Sequence, residues 1–427
     1  MLALLFALQS LAYYFIFKYF YRRASRKRIY VVSLMFKVFI GLCVGMLYSL
    51  YYQEGDMLAY YDDAVFLTDL CLQNPYKYSL FLFDQELVEG LRFADQSRAL
   101  FFSKIASVVS LFSLKNYWLI TLSFSLINFF FSWWFVVKLI DFLKGNEAIV
   151  YVSILFYPSV VFWSSGLLKE AIALSLIYFL SGALLSYHKK RYGWKKNTFF
   201  SLAVVLFSWA LWMLKYYYAA ILLPILLVLF IIQNMKHYQA NLTHIQWKLT
   251  WLMLILIASG LFLIFMFSHP NLNPDAILKA IVKNHDLSVT ASDEGKYIIF
   301  EGLSPNFTSF LAQFPKAVYS GLFRPLPFEG SGLLFWLAGI ENFVLLSLSI
   351  LALISLFSLK KISNPEMVVA CIIYVILLAG LISLASPNFG SLSRYKVAYA
   401  PFWLLISLLC INESPFFSSI SQSKKKI

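Results

Sequence analysis

The feature that most constrains this chain is a succession of apolar stretches, each about as long as a membrane-spanning helix. Crossing the hydrocarbon core of a bilayer takes about 20 mostly apolar residues in a helix. Eleven stretches qualify: 2–20, 29–51, 117–137, 148–162, 167–187, 199–214, 218–232, 249–267, 333–357, 367–384 and 397–411. This pattern predicts an all-α, polytopic bundle of about eleven spans, which form a single transmembrane domain over residues 1–427.

Composition supports a membrane protein and excludes three other classes. Hydrophobic residues make up 61% of the chain and charged residues 13%, whereas typical soluble domains have about 45–50% and about 25%. A water-soluble enzyme, a disordered protein and a disulfide-stapled secreted module are therefore excluded. The four cysteines show neither pair nor metal spacing, so the sequence indicates no zinc site.

The placement of basic residues predicts the orientation of the chain. Basic runs at 22–28, 188–196, 360–361 and 424–426 each follow an apolar stretch closely. This is typical of short cytoplasmic loops and not of a nucleic-acid surface, so we expect membrane lipids and no nucleic acid as partners. The N-terminus is then outside, and the tail 412–427 is cytoplasmic. In this scheme Lys37 is counted with the inner residues.

Two outer loops are long, and we expect the chemistry of the protein there. The first covers residues 53–116, and the larger covers residues 268–332. Within the first, the apolar stretch 99–114 is short and contains Lys104. We interpret it as a helix lying on the outer leaflet, because a twelfth crossing would place the basic tail on the outer side.

The first loop begins with several acids. If a helix starts at Asp56, then Asp56, Tyr60 and Asp63 share one face. A carboxylate here could accept a proton from a hydroxyl, so Asp56, Asp63 and the nearby Glu54 are candidate catalytic residues. Asp56 and Asp63 are also candidate ligands for Mg²⁺ or Mn²⁺, although no closed ligand set is visible. In the simpler alternative, Asp56 only caps the helix.

Further ionisable residues lie at the predicted outer ends of spans, where charges are costly and are candidates for function. Lys169 and Glu170 follow a turn at the start of a span, where a helix N-terminus and a lysine favour an anion such as a lipid phosphate. The alternative is that they only snorkel to water. Lys215 stands beside three tyrosines, as in an aromatic belt. The remaining candidates for binding substrate or lipid phosphate are Arg324, Glu341, Arg394 and Tyr395.

These motifs, taken in order, resemble a known group of enzymes. The early Gly55-Asp56, the turn Tyr-Pro-Ser…Phe-Trp-Ser-Ser-Gly…Lys-Glu that ends at Glu170, and the late Arg394-Tyr395 are similar to the pattern of C-type (GT-C) integral-membrane glycosyltransferases and of related bacterial exopolysaccharide and O-antigen polymerase-like proteins. The resemblance implies a GT-C-like fold and hexosyl transfer from a polyprenyl-phosphate- or pyrophosphate-linked donor to a glycan or lipid acceptor. It also implies a site on the periplasmic face of a bacterial inner membrane.

In this resemblance Asp56 matches the proposed base or cation ligand. Many members have a clearer pair of acids, whereas here Glu54, Asp62 and Asp63 compete with Asp56. The chemistry fits, because glycosyl transfer needs a deprotonated acceptor hydroxyl and a stabilised anionic leaving group. Three alternatives stay open: a polymerase or ligase of lipid-linked repeat units, a flippase or transporter of lipid-linked glycans, and an assembly subunit of an envelope machine.

Overall fold

The computed structural model describes residues 1–143, 145–187, 194–238, 273–330, 332–356 and 364–413. These residues form helices and no β-strand, apart from one isolated bridge between Tyr297 and Asn388. The all-α prediction is therefore confirmed for them. The α-helices are α1 (Leu2–Arg23), α2 (Lys27–Met46), α3 (Asp56–Gln73), α4 (Pro75–Leu82), α5 (Ser97–Phe112), α6 (Tyr117–Leu143), α7 (Glu147–Leu155), α8 (Pro158–Trp163), α9 (Lys169–Tyr187), α10 (Trp194–Tyr238), α11 (Pro274–Thr290), α12 (Phe307–Phe323), α13 (Leu333–Leu356), α14 (Pro365–Ala385), α15 (Phe389–Tyr395) and α16 (Ala400–Glu413).

Seven helices of the described residues are long and apolar enough to cross a membrane. They are α1, α2 with the π-helical turns Leu47–Tyr52 that continue it, α6, α9, α10, α13 and α14. An eighth candidate combines α15 and α16, which are bent by 65° relative to each other. The protein is therefore an all-helical chain with several helices suited to a membrane.

Two of the eleven predicted spans differ from a single straight helix. The prediction at 148–162 is wrong in this respect, because α7 and α8 are separate helices there. Pro158 starts α8, and Tyr157 before it is extended, as expected of a residue that precedes proline. The predictions at 199–214 and 218–232 agree with α10, in which the non-helical Lys215 separates two helical segments. The prediction at 397–411 falls on the bend between α15 and α16.

Parts of the chain organisation lie outside the described residues. The predicted span at 249–267 is one of them, and so is nearly all of the predicted tail 412–427. The first predicted loop, 53–116, contains α3, α4 and α5, and the described part of the second, 268–332, contains α11 and α12. The helix predicted at 99–114 is α5 (Ser97–Phe112), in which the Lys104 side chain is buried.

The chain divides into two compact units, Met1–Ala220 and Ile221–Ile427. In the first unit α6 packs against α2 and α9, and α3 packs against α5. Large aromatic side chains fill this core, among them the fully buried Tyr30, Phe124 and Trp133. In the second unit α12 and α11 pack against α14, while α13 packs against α16. Each unit therefore has its own helical core, and each holds part of the predicted site.

Candidate functional site

The first candidate acid lies at a sharp reversal of the chain. The π-helical turns end at Tyr52, Gln53 and Gly55 have positive φ angles of 54° and 112°, and α3 begins at Asp56. Gly55 occupies the N-cap position, so Asp56 lies inside the first turn and the interpretation of Asp56 as the cap is wrong. A carboxylate in a first turn is favoured by the positive end of the helix dipole. Glu54, just before the glycine, is exposed.

Asp63 lies on the same face of α3 but is buried. Its Oδ1 accepts a hydrogen bond from the Arg92 backbone N–H at 2.8 Å, and its Oδ2 accepts one from Ser103 Oγ at 3.0 Å. Burial raises the pKa of Asp63, although these hydrogen bonds and the Arg92 charge oppose that shift. This geometry favours a structural role for Asp63, because it connects α3 to α5 and to the loop before it.

Tyr60 places the first turn of α3 next to the start of α9. Its ring is buried between Phe93 and Phe102, with centroids 4.5 and 4.7 Å away. The Lys169 ammonium lies 5.3 Å from the centroid of the same ring. Two motifs that are more than a hundred residues apart in sequence are thus neighbours in space. A cation at this distance from a tyrosine ring is attracted to its face.

Gly166 shows how closely these two turns approach. Its φ of +80° is one that other residues rarely adopt, and a Cβ there would lie 3.1 Å from Met57 Cε and 3.3 Å from Val44 Cγ1. The Gly166 N–H donates to Ser125 Oγ on α6 at 2.9 Å. The turn before α9 is therefore held between α2, α3 and α6, and it requires glycine at this position.

Glu170 and Lys215 form a buried ion pair. Lys215 Nζ lies 2.6 Å from Glu170 Oε1, and the side chains are 5% and 0% exposed. The pair connects the first turn of α9 to the non-helical residue of α10. The aromatic-belt interpretation of Lys215 is therefore wrong, although its ammonium does lie 5.2 Å from the centroid of the Tyr218 ring. Snorkelling is likewise wrong for Glu170, since ion pairing is how a buried acid is stabilised.

Lys37 is a buried charge that the sequence analysis missed. It lies in α2, and its Nζ donates to Ser164 Oγ at 2.7 Å, to the Ser164 carbonyl at 2.9 Å and to the Val161 carbonyl at 3.3 Å. These carbonyls belong to the C-terminal end of α8, where helical hydrogen bonds are missing and a cation is favoured. Counting Lys37 with the inner residues gave it no partner within the protein. The signal was available, since a lone lysine within an apolar span needs a partner.

The second unit contains its own group of charges at the end of α12. Arg324 Nε donates to both carboxylate oxygens of Glu329, at 2.9 and 3.0 Å, and its guanidinium lies 5.2 Å from the Phe389 ring centroid. Lys396 Nζ is buried and donates to the Leu322 carbonyl at 3.1 Å and the Arg324 carbonyl at 2.7 Å. The arginine is thus held in a defined orientation.

Asn342 completes this second group. Its Oδ1 accepts from Lys396 at 2.9 Å, and its Nδ2 donates to the Pro325 carbonyl at 2.8 Å. Glu341 precedes it in α13 and lies close enough to Lys396 to interact with its charge. The predicted Arg394 and Tyr395 end α15 and are half-buried. The buried cation here is Lys396, two residues beyond the predicted arginine.

The structure thus divides the predicted site residues into two groups. The first unit contains Asp56, Lys169, Glu170 and Lys215, with Lys169 beside Tyr60 of α3 and Glu170 paired with Lys215, whereas the second unit contains Arg324, Glu341, Arg394 and Tyr395. Within the described residues no group of three or more His, Cys, Asp or Glu side chains is placed to hold a metal ion. Binding of Mg²⁺ or Mn²⁺ by Asp56 stays a prediction.

Comparison with known proteins identifies no relative. No protein-family model matches the chain, and neither the curated proteins nor the solved structures contain a significant match. The assignment of function therefore rests on the chemistry of the residues themselves.

Proposed function

We propose that the protein is a membrane glycosyltransferase of bacterial cell-envelope or exopolysaccharide synthesis. Its donor is a sugar linked to polyprenyl phosphate or pyrophosphate, used at the extracytoplasmic face of the inner membrane. The observation that carries this proposal is the packing of the turn that bears Asp56 against the turn that bears Lys169. One acid and one cation are the two groups that transfer from a lipid phosphate needs.

The reaction follows from these roles. The acceptor hydroxyl gives its proton to the Asp56 carboxylate, and its oxygen forms the new bond to the anomeric carbon. The bond between that carbon and the phosphate oxygen breaks, so the lipid phosphate leaves with the electron pair. Lys169 stabilises the negative charge that develops on it. No nucleotide is required, because the sugar–phosphate bond is already activated.

The buried pair of Glu170 and Lys215 helps to fix the position of Lys169. Glu170 follows Lys169 directly in the first turn of α9, and its bond to Lys215 anchors that turn to α10. Lys37 and the glycine at 166 hold the preceding turn. A cation whose backbone is held in place loses little energy to reorganisation when charge develops in the transition state.

The test is release of the lipid phosphate by purified protein supplied with polyprenyl-linked sugar. We expect Asp56→Asn and Lys169→Met each to lose about 10²-fold or more in turnover, as is usual when a base or a charge-stabilising donor is removed. Asp69→Asn is the matched control, since Asp69 also lies on α3 but pairs with Lys115 at 2.7 Å. Full turnover by Asp56→Asn would exclude the proposed base.

A second candidate function is supported by the second unit. Arg324 is oriented by Glu329 and is a bidentate-capable cation, which suits a polymerase or ligase that joins lipid-linked repeat units. In that case Arg324→Gln and Arg394→Gln would abolish glycan joining while Asp56→Asn would have no effect. Protein that binds the lipid but never releases phosphate would instead favour a flippase or an assembly role.

A further inference from the structure

A second candidate binding site lies on α11, far along the chain from the residues discussed so far. One face of this helix and Pro305 line a shallow, open groove of about 380 Å³ on the surface. This volume falls in the range of small-molecule pockets, about 300–1,000 Å³. The polar side chains that line the groove are Lys279, Lys283, Asp286 and Thr290.

The two lysines of the groove differ from the nearby described lysines of their unit. Among the residues that the structure describes, neither the Lys279 nor the Lys283 side chain makes a hydrogen bond or an ion pair. By contrast, Lys296 pairs with Asp293 at 2.7 Å, and Lys316 donates to the Ile299 carbonyl at 2.8 Å. Like charges one helical turn apart repel each other, so an anion bound between them would relieve that repulsion.

The other groups in the groove define the kind of anion. Asp286 and Thr290 continue along the same face of α11, and Leu287 with Pro305 adds apolar surface. The Asp286 carboxylate, whose Oδ1 lies 3.1 Å from His285 Nδ1, can accept from hydroxyl donors, so the groove suits a ligand with its negative group at the two lysines and its hydroxyls at Asp286. Sugars offer hydroxyls together with apolar C–H faces, and uronic acids add the negative charge. We propose that this groove binds an acidic oligosaccharide.

The role of this ligand rests on the proposed function. In a glycosyltransferase of the envelope, an oligosaccharide held on the predicted outer loop is the growing acceptor. The binding itself does not depend on catalysis in the first unit. A binding experiment without lipid-linked donor therefore tests the groove alone, and loss of turnover with intact sugar binding would count only against the proposed transferase.

The experiment is calorimetric titration of the full-length protein in detergent with a galacturonic acid oligomer. A neutral galactose oligomer of the same length is the matched ligand. We expect the acidic oligomer to bind the wild type more tightly than the neutral one does. The double variant Lys279→Gln, Lys283→Gln should bind the acidic oligomer with roughly tenfold lower affinity. At high salt the difference in affinity between wild type and double variant should be smaller, because salt screens the charges. Lys296→Gln, which removes a cation outside the groove, should bind as the wild type does.

Three results would overturn the proposal. They are no binding of the acidic oligomer, equal affinity of the double variant and the wild type, and equal affinity for the neutral oligomer. Short-chain phosphatidylglycerol serves as the competing ligand. If it binds through the two lysines while the acidic sugar does not, the groove contacts lipid headgroups and the proposal fails.

Discussion

Each of the two units contains a buried lysine that donates hydrogen bonds to backbone carbonyls at the end of a helix. In the first, the Lys37 ammonium binds two backbone carbonyls at the end of α8 and one hydroxyl oxygen. In the second, the Lys396 ammonium binds two carbonyls at the end of α12 and one amide oxygen. Each lysine supplies donors to carbonyls that lack a helical N–H partner, although the Val161 carbonyl also accepts from Ser165 Oγ at 2.6 Å. Lys37 and Lys396 thus each cap the C-terminal end of a helix.

The ion pairs of the two units differ in exposure. The side chains of Glu170 and Lys215 are 0% and 5% exposed, whereas those of Arg324 and Glu329 are 24% and 27% exposed. In the part of the chain that the structure describes, the Arg324 guanidinium donates hydrogen bonds through Nε alone. A fully buried pair holds two helices in place, whereas an arginine that is about a quarter exposed keeps donors for a ligand. Four predictions test how burial decides the effect of these and other charged groups.

The largest effect is expected from breaking the buried pair. Lys215→Met leaves the Glu170 carboxylate buried and without its cation, which typically costs about 3–5 kcal/mol. The double variant Glu170→Leu, Lys215→Met should recover much of this loss, because no isolated charge remains. Denaturant unfolding in mixed micelles measures both. A single variant as stable as the double variant would show that the pair is not needed to neutralise Glu170.

The shared cap predicts destabilisation in both units. Lys37→Met leaves the Ser164 carbonyl without a donor, while the Val161 carbonyl keeps its bond from Ser165 Oγ at 2.6 Å. Lys396→Met leaves the Leu322 and Arg324 carbonyls without a donor, and each buried unsatisfied group costs about 1–3 kcal/mol. We expect both variants to be destabilised, Lys396→Met by the larger amount, as measured by thermal unfolding in detergent. Lys77→Met is the control, since Lys77 is a surface residue paired with Glu86. If only one of the two variants lost stability, the two lysines would not play the same role.

A smaller effect is expected for the partly exposed pair of Arg324 and Glu329. Arg324→Gln should cost about 1 kcal/mol or less in stability, because solvent screens the interaction with Glu329. Binding of a polyprenyl phosphate, followed by native mass spectrometry, should nevertheless weaken if the arginine contacts the phosphate. Arg92→Gln, which removes a surface partner of Asp62, is the reference variant. Destabilisation as large as that of Lys215→Met would contradict the role of exposure.

Asp63 offers the smallest effect and a dependence on pH. It is a buried carboxyl that accepts hydrogen bonds from neutral donors, and burial raises its pKa. The folded state then binds its proton more tightly than the unfolded chain, in which the pKa is about 3.9. The stability that this proton provides is present at low pH and is lost as the pH rises through the raised pKa.

The matched variant for this test is Asp63→Asn, which keeps an oxygen acceptor and does not titrate. As the pH falls from 7 towards 4, the melting temperature of the wild type should rise relative to that of Asp63→Asn. Thermal shift measurements in detergent give this difference directly. A constant difference would show that the hydrogen bonds offset the effect of burial on the pKa of Asp63. A change in the opposite direction would show that they outweigh it.

Local features of the fold could be predicted from the sequence, and distant pairings could not. The start of α3 at Asp56 follows from Gly55, and the apolar stretches at 117–137 and 333–357 became helices. The break at Pro158 was readable in principle, because proline and the residue before it disfavour a continuous helix. The pairing of Glu170 with Lys215 spans 45 positions and leaves no local signal.

The sequence by itself determined that this is an all-helical chain suited to a membrane, because long apolar stretches have few other ways to satisfy their backbone groups. It also determined which charged residues are costly enough to need an explanation. Only the tertiary structure decided how each charge is satisfied. Burial and partners depend on which helices become neighbours, so Asp63 and Lys37 acquired structural partners while Lys169 came to lie beside the turn of Asp56.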